Sequence, residues 1–169
     1  MPTVAVNPSS NTTPDQGGTS AVTGASNTGH AATTSSASGA NTQSKSCKWT
    51  GFPAGSGTIT AVVLKVGWAQ DGTLSDGGVS TASDFIIEYS LNGGSSWNSL
   101  HGASQITAST SGTDTANLST GQNLTQVQVR DILTATSIVG ESASVTGTVS
   151  AIRIEVTTSE GGQRLIVMM

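Results

Sequence analysis

The sequence predicts an all-β protein: an antiparallel β-sandwich, jelly-roll or immunoglobulin-like, preceded by an extended low-complexity arm. Three observations predict it. Several segments alternate apolar and polar residues with the two-residue period of a half-buried strand, and none shows a helical period. β-Branched Val, Ile and Thr dominate the apolar bursts, and 21 glycines supply turns between them. Residues 1–44 carry one charge (Asp15), no aromatic residue and no Leu or Ile, and Ser, Thr, Gly, Ala and Asn make up 33 of the 44.

Taken in order, the arm comes first. A segment of this composition cannot bury enough apolar surface to offset its ordering entropy. It is expected to order on another protein chain, with Val4, Val6 and Val22, its only non-terminal hydrophobes larger than Ala, as anchors. The composition changes at Lys45, where the segment SCKWTGFP brings the first aromatic residues, so residues 45–169 are expected to form the domain.

Residues 58–68 (TITAVVLKVGW) read as a long strand, with Val62, Leu64, Val66 and Trp68 on one face. Residues 70–83 read as a loop marked by Asp71-Gly72 and Asp76-Gly77. Residues 84–91 (DFIIEYSL) alternate clearly: Phe85, Ile87, Tyr89 and Leu91 one way, Asp84, Glu88 and Ser90 the other. Asn92-Gly93-Gly94 follows as a hairpin turn, because Asn and Gly accept the positive φ that tight turns require. Trp97 then opens the return strand.

Residues 104–120 are polar and fit either an edge strand or a long loop. Residues 124–133 (LTQVQVRDIL) put Val127 and Val129 inward and Gln126, Gln128 and Arg130 outward. Within residues 143–158, Ile152, Ile154 and Val156 share a face, but their phase breaks with Val145 and Val149 near Ala151, which predicts a bulge or two strands. After a turn at residues 159–162, QRLIVMM at 163–169 reads as a last strand, pairing with residues 152–158 or with a neighbouring chain. Leu165, Ile166 and Val167 are therefore further candidate assembly contacts.

Function classes narrow from the same numbers. The net charge is −4, and the six Lys and Arg are scattered without a basic stripe, which argues against nucleic acid. No apolar run is long enough to cross a bilayer as a helix. MPTVAVNPSS has neither a charged nor an apolar signal region, so the expected place of synthesis is a cytosol. Cys47 is the single cysteine and reads as a small buried residue. His30 and His101 lie in polar segments without a motif-spaced acid or thiol, and no hydrolase, zinc or phosphate-loop motif occurs. Asp84 and Glu88, four apart on one strand, are about 13 Å apart along it, too far for a glycosidase pair. Arg153 and Glu155 read as surface charges. Asp71 and Asp76 could ligate calcium, but their spacing is not that of an EF-hand loop and Asp-Gly is an ordinary turn. No catalytic residue, cofactor or metal is expected.

Two resemblances add to this reading. Residues 90–97, SLNGGSSW, resemble the Asp-box, the S-x-D-x-G-x-x-W hairpin of sialidase-like propellers, with Asn92 in the Asp position. That likeness implies a structural hairpin and no hydrolase. In overall style the chain resembles bacteriophage head-decoration, capsid or tail accessory proteins. This implies a non-enzymatic virion subunit whose partners are other protein subunits of the same particle. The alternatives are a carbohydrate-binding module using Trp49 with Tyr89 or Trp97, and an extracellular self-polymerising filament subunit that completes a neighbour's sheet.

Overall fold

The computed structural model describes residues 3–6, 10–11, 28–35, 40–55 and 57–159. Among these residues ten strands occur: β1 (Thr3–Val6), β2 (Ser10–Asn11), β3 (Thr28–Ser35), β4 (Asn41–Thr50), β5 (Ile59–Leu74), β6 (Ala82–Ser90), β7 (Asn98–Ser104), β8 (Thr110–Leu118), β9 (Gln128–Ser137) and β10 (Ser142–Thr158). They form two five-stranded sheets. One has the order β1-β10-β5-β8 with β3 also on β10, and the other β2-β4-β9-β6-β7. Every pairing is antiparallel.

The connectivity decides between the two expected sandwiches. β3 pairs with β10, β4 with β9, β5 with β8 and β6 with β7. This nested set, wrapped so that successive pairs alternate between sheets, is the jelly-roll topology. It arises because one long antiparallel ladder of low charge can bury its apolar face only by rolling up on itself.

The alternation seen in the sequence becomes the core. Phe85, Ile87, Val127, Val129, Ile152 and Ile154 are buried, together with Val62, Leu64, Val66 and Leu133. The expected break near Ala151 is a register shift between Val149 and Ala151 against β5, so β10 continues through it as one bulged strand.

Three expectations need correction. β5 does not end at Trp68 but runs to Leu74, taking in the first part of the expected loop; Gln70 and Gly72 keep the same parity and pair with Gly147 and Val145. β4 runs from Asn41 to Thr50, with Lys45 in its middle. Its polar first half is held by backbone pairing to β9 and by hydroxyl contacts such as Thr42 Oγ1 to Thr136 Oγ1 at 3.1 Å. Ser90 is buried rather than outward, and a register shift at Ile87/Glu88 against β7 accompanies the change. Residues 124–126 form a 3-10 turn capped by Asn123, which accepts from the Thr125 N–H, and the strand starts after it.

The expected hairpin is present. Ser90 Oγ accepts from the Gly94 N–H at 2.8 Å, Asn92 Oδ1 accepts from the Ser96 N–H at 2.9 Å, and the Gly93 N–H donates to the Gln126 carbonyl at 2.9 Å. Gly93 and Gly94 have φ of 70° and 92°. Valine at both positions would place β-branched side chains in the left-handed region, and we expect a loss of about 2–4 kcal/mol. An unchanged urea midpoint in Gly93→Val/Gly94→Val would contradict this.

Candidate functional site

The N-terminal segment meets the body of the fold along two sheet edges. β1 pairs with residues 154–157 of β10, from Thr3 opposite Thr157 to Val6 opposite Ile154. β3 pairs with the same edge further along, from Thr28 opposite Val149 to Ser35 opposite Ser142. β2 adds two residues to the edge of β4, Ser10 opposite Thr50 and Asn11 opposite Trp49. β1 and β3 thus supply backbone partners to an edge of β10 that would otherwise lack them. Thr3 Oγ1 also meets Thr157 Oγ1 at 3.1 Å.

This placement bears on several sequence expectations. The backbones of Val4 and Val6 pair with β10 of their own chain. Val22 and the strand expected at residues 163–169, with Leu165, Ile166 and Val167, lie outside the described residues. Residues 154–157 of β10 pair with β1 on one side and with β5 on the other.

On the opposite flank, β7 and β8 are the outer strands of the two sheets, and a side-chain cluster bridges them. Asp114 Oδ2 accepts from Trp68 Nε1 at 2.8 Å and lies 2.8 Å from His101 Nδ1; His101 Nε2 is 3.3 Å from Gln70 Oε1. The Trp68 and His101 rings are 3.9 Å apart between centroids. Gly112 permits this packing, because a Cβ there would lie 3.0 Å from the indole. Both imidazole nitrogens face an amide or carboxylate oxygen, and neither faces a hydroxyl or thiol. The His–Asp pair therefore fastens one sheet to the other. Sequence spacing gives no sign of it, since the four residues come from three strands.

The remaining candidates resolve into structural roles. Trp49 is only 2% exposed and packs in the core with Cys47 and Phe52, so its ring is unavailable for stacking on a glycan. Trp97 lies under Arg130, whose guanidinium sits 4.1 Å from the ring centre and pairs with Glu88 at 2.7 Å. Glu88 is thus ion-paired to a neighbouring strand. Glu155 pairs with Lys65 at 2.8 Å and Arg153 at 3.0 Å, and the hydrogen bonds from these two hold its carboxyl below the usual range.

Asp71 belongs to β5, whereas Asp76 organises the β5–β6 loop. It accepts from Ser80 Oγ and the Ser80 N–H, each at 2.6 Å, from the Gly78 N–H at 3.0 Å and from Thr81 Oγ1. Those bonds, led by the Ser80 and Thr81 hydroxyls, hold its carboxyl well below the usual range. They also occupy the oxygens a cation would need. Among the described residues no group of three or more His, Cys, Asp or Glu could hold a metal ion.

A shallow groove of about 320 Å³ lies on the β1-β10-β5-β8 sheet, lined by Gln70, Asp71, Thr110, Ser111, Thr146 and Thr148. At the end of the sandwich that carries the β5–β6 loop and the β9–β10 turn, Val79, Ile138 and Val139 are exposed. The two connections are tied together there by the Ser75 N–H donating to the Ser142 carbonyl at 3.0 Å.

Asp131, which the sequence reading passed over, is the least expected group. It lies between Cys47 and Ile87 in the sheet, fully buried, and its Oδ1 accepts from the Cys47 N–H at 2.9 Å. Burial pushes its carboxyl up to about 8. The only signal was parity, since Asp131 shares the inward phase of Val129 and Leu133.

Comparison with protein-family models and with curated proteins finds no match. No helix among the described residues is long and apolar enough to cross a membrane.

Proposed function

We propose that this chain is a non-enzymatic structural subunit of a protein assembly, most closely of the kind that builds or decorates a virion. The observation that carries the reading is the pairing of β1 and β3 along one edge of β10, and of β2 with the last two residues of β4, by strands from a segment with almost no apolar side chains. Backbone pairing of this kind is how extended segments join neighbouring sheets. Jelly rolls serve in viral capsid and lectin domains, so the fold is compatible with the reading but does not select it. The partners are other subunits of the same particle, and the particle is made in a host cytoplasm.

Sedimentation velocity with negative-stain imaging tests this. The full chain should form discrete oligomers at high concentration. A variant lacking residues 1–11 should keep its far-ultraviolet spectrum and sediment as a folded monomer. A full chain that remains monomeric throughout would remove the proposal.

A carbohydrate-binding function is the second reading, favoured by the groove lined with Gln70, Asp71, Thr110 and Thr146. Hydroxyl and amide side chains at such a surface match the polar edges of a neutral sugar. Glycan-array binding that disappears in Gln70→Ala/Asp71→Ala would support it. Binding that persists in that variant, or no binding at all, would discard it.

A further inference from the structure

We propose that β1 and β2 are exchanged between copies of this chain, so that β1 of one copy pairs with β10 of the next and β2 pairs with the end of β4 of that same neighbour. The inference rests on the assembly reading and names the contact that would build the assembly.

Connectivity leaves the exchange open. β1 and β3 occupy one edge of β10 in series: Val6 is opposite Ile154 and Thr28 is opposite Val149. Four residues of β10, 150–153, separate the two seats, yet 21 residues of chain, 7–27, separate the strands that fill them. The stretch from 12 to 27 alone reaches about 50 Å when extended. β3 is different, because only residues 36–40 connect it to β4 in the other sheet. The short connection ties β3 to its own copy, while 16 residues of chain, 12–27, stand between β2 and β3.

The seats themselves are indifferent to which copy supplies the strand. β1 makes four residue pairs and β2 makes two, all by backbone. The segment Thr3–Val6 offers no side chain larger than valine. Six residue pairs are a small foothold, and such short edge pieces open most readily. An exchanged strand reforms the same contacts, so exchange sacrifices none. Within an assembly the neighbouring seat is held at high local concentration, and occupying it removes the need to close the long loop within one chain. In the arrangement proposed, each copy passes its strands on to the next, and such a head-to-tail contact generates rings or filaments.

The Thr3–Thr157 contact provides a direct readout, since their hydroxyls are 3.1 Å apart across the β1–β10 pair. Full-length Thr3→Cys and full-length Thr157→Cys are mixed at the concentration where the chain oligomerises, mildly oxidised and run on a non-reducing gel. The expected result is a covalent dimer of the two variants, and a ladder of higher species from the double variant. Cys47 is 1% exposed and does not compete. Thr3→Cys mixed with Ser119→Cys serves as a collision control and should give far less dimer. An intrachain disulfide alone in the double variant, no disulfide at all, or equal dimer in the control would overturn the exchange. Sedimentation of the same samples separates the two claims: oligomers with only intrachain disulfides end the exchange and leave the assembly reading standing, whereas monomers end both.

Discussion

The wild-type protein should lose stability between about pH 4 and pH 8, and Asp131→Asn should flatten that decline. The carboxyl is buried between two strands, and desolvation raises it from 3.8 to about 8 against the opposing pull of the Cys47 N–H. In that interval the folded state holds a proton that the unfolded state has released. Stability is therefore fully present below the unfolded value and falls as pH rises through the folded one, by at most about 1.4 kcal/mol per pH unit. Over the whole interval the loss is bounded by something on the order of 5 kcal/mol, and water entry around the ionised carboxylate reduces it.

Asp76 and Glu155 act in the opposite direction. Their carboxyls are lowered in the folded state, so what they contribute is present above the usual carboxylate range and is lost in acid. Wild-type stability should thus peak in mildly acidic solution. Urea unfolding from pH 3 to pH 9 checks both limbs. In Asp131→Asn the acid limb should remain and the alkaline decline should largely disappear. Two parallel curves would show that Asp131 does not titrate as its burial requires.

Gly72→Ala should destabilise the fold by about 3–5 kcal/mol. A Cβ at residue 72 would lie 2.5 Å from the Ile106 carbonyl oxygen and 2.9 Å from the Ser144 carbonyl oxygen. Neither atom can retreat cheaply. The Ser83 hydroxyl donates to that Ile106 carbonyl at 3.1 Å and accepts from the Ile106 N–H at 2.7 Å, fixing the segment between β7 and β8. Ser144 belongs to β10 and is paired with Thr73. The obstruction is backbone on both sides, so repacking of side chains offers no relief. Gly102→Ala is the matched control, because a Cβ there meets nothing within 4 Å. The control should be nearly neutral in thermal and urea unfolding, and equal losses in the two variants would show that space at residue 72 is not the determinant.

The elements legible in the sequence were those whose side chains alternate between water and core. Phe85 and Ile87, Val127 and Val129, and Ile152, Ile154 and Val156 all turned inward as their parity required. The hairpin at Asn92-Gly93-Gly94 was equally legible, since positive φ is a local demand met by particular residues. The register break by Ala151 was visible as a change of phase.

What escaped was held by groups that every residue carries. The first half of β4, most of β8 and the strands β2 and β3 are rich in Ser, Thr, Gly, Asn and Ala, and their backbone pairing leaves no apolar period to read. Trp49 shows the complementary difficulty. Its polar neighbours suggested an exposed ring, but its place opposite Val129 put it in the core.

By itself the sequence determined the strand periodicity, the sandwich class, the main turn and the sparse charge, because these follow from local side-chain chemistry. Only the tertiary structure decided the jelly-roll order, the bridge from Trp68 and His101 to Asp114, the burial of Asp131 and the pairing of β1 and β3 with β10 and of β2 with β4. Each of those depends on which distant strands become neighbours, and that is settled by closing two sheets around one core.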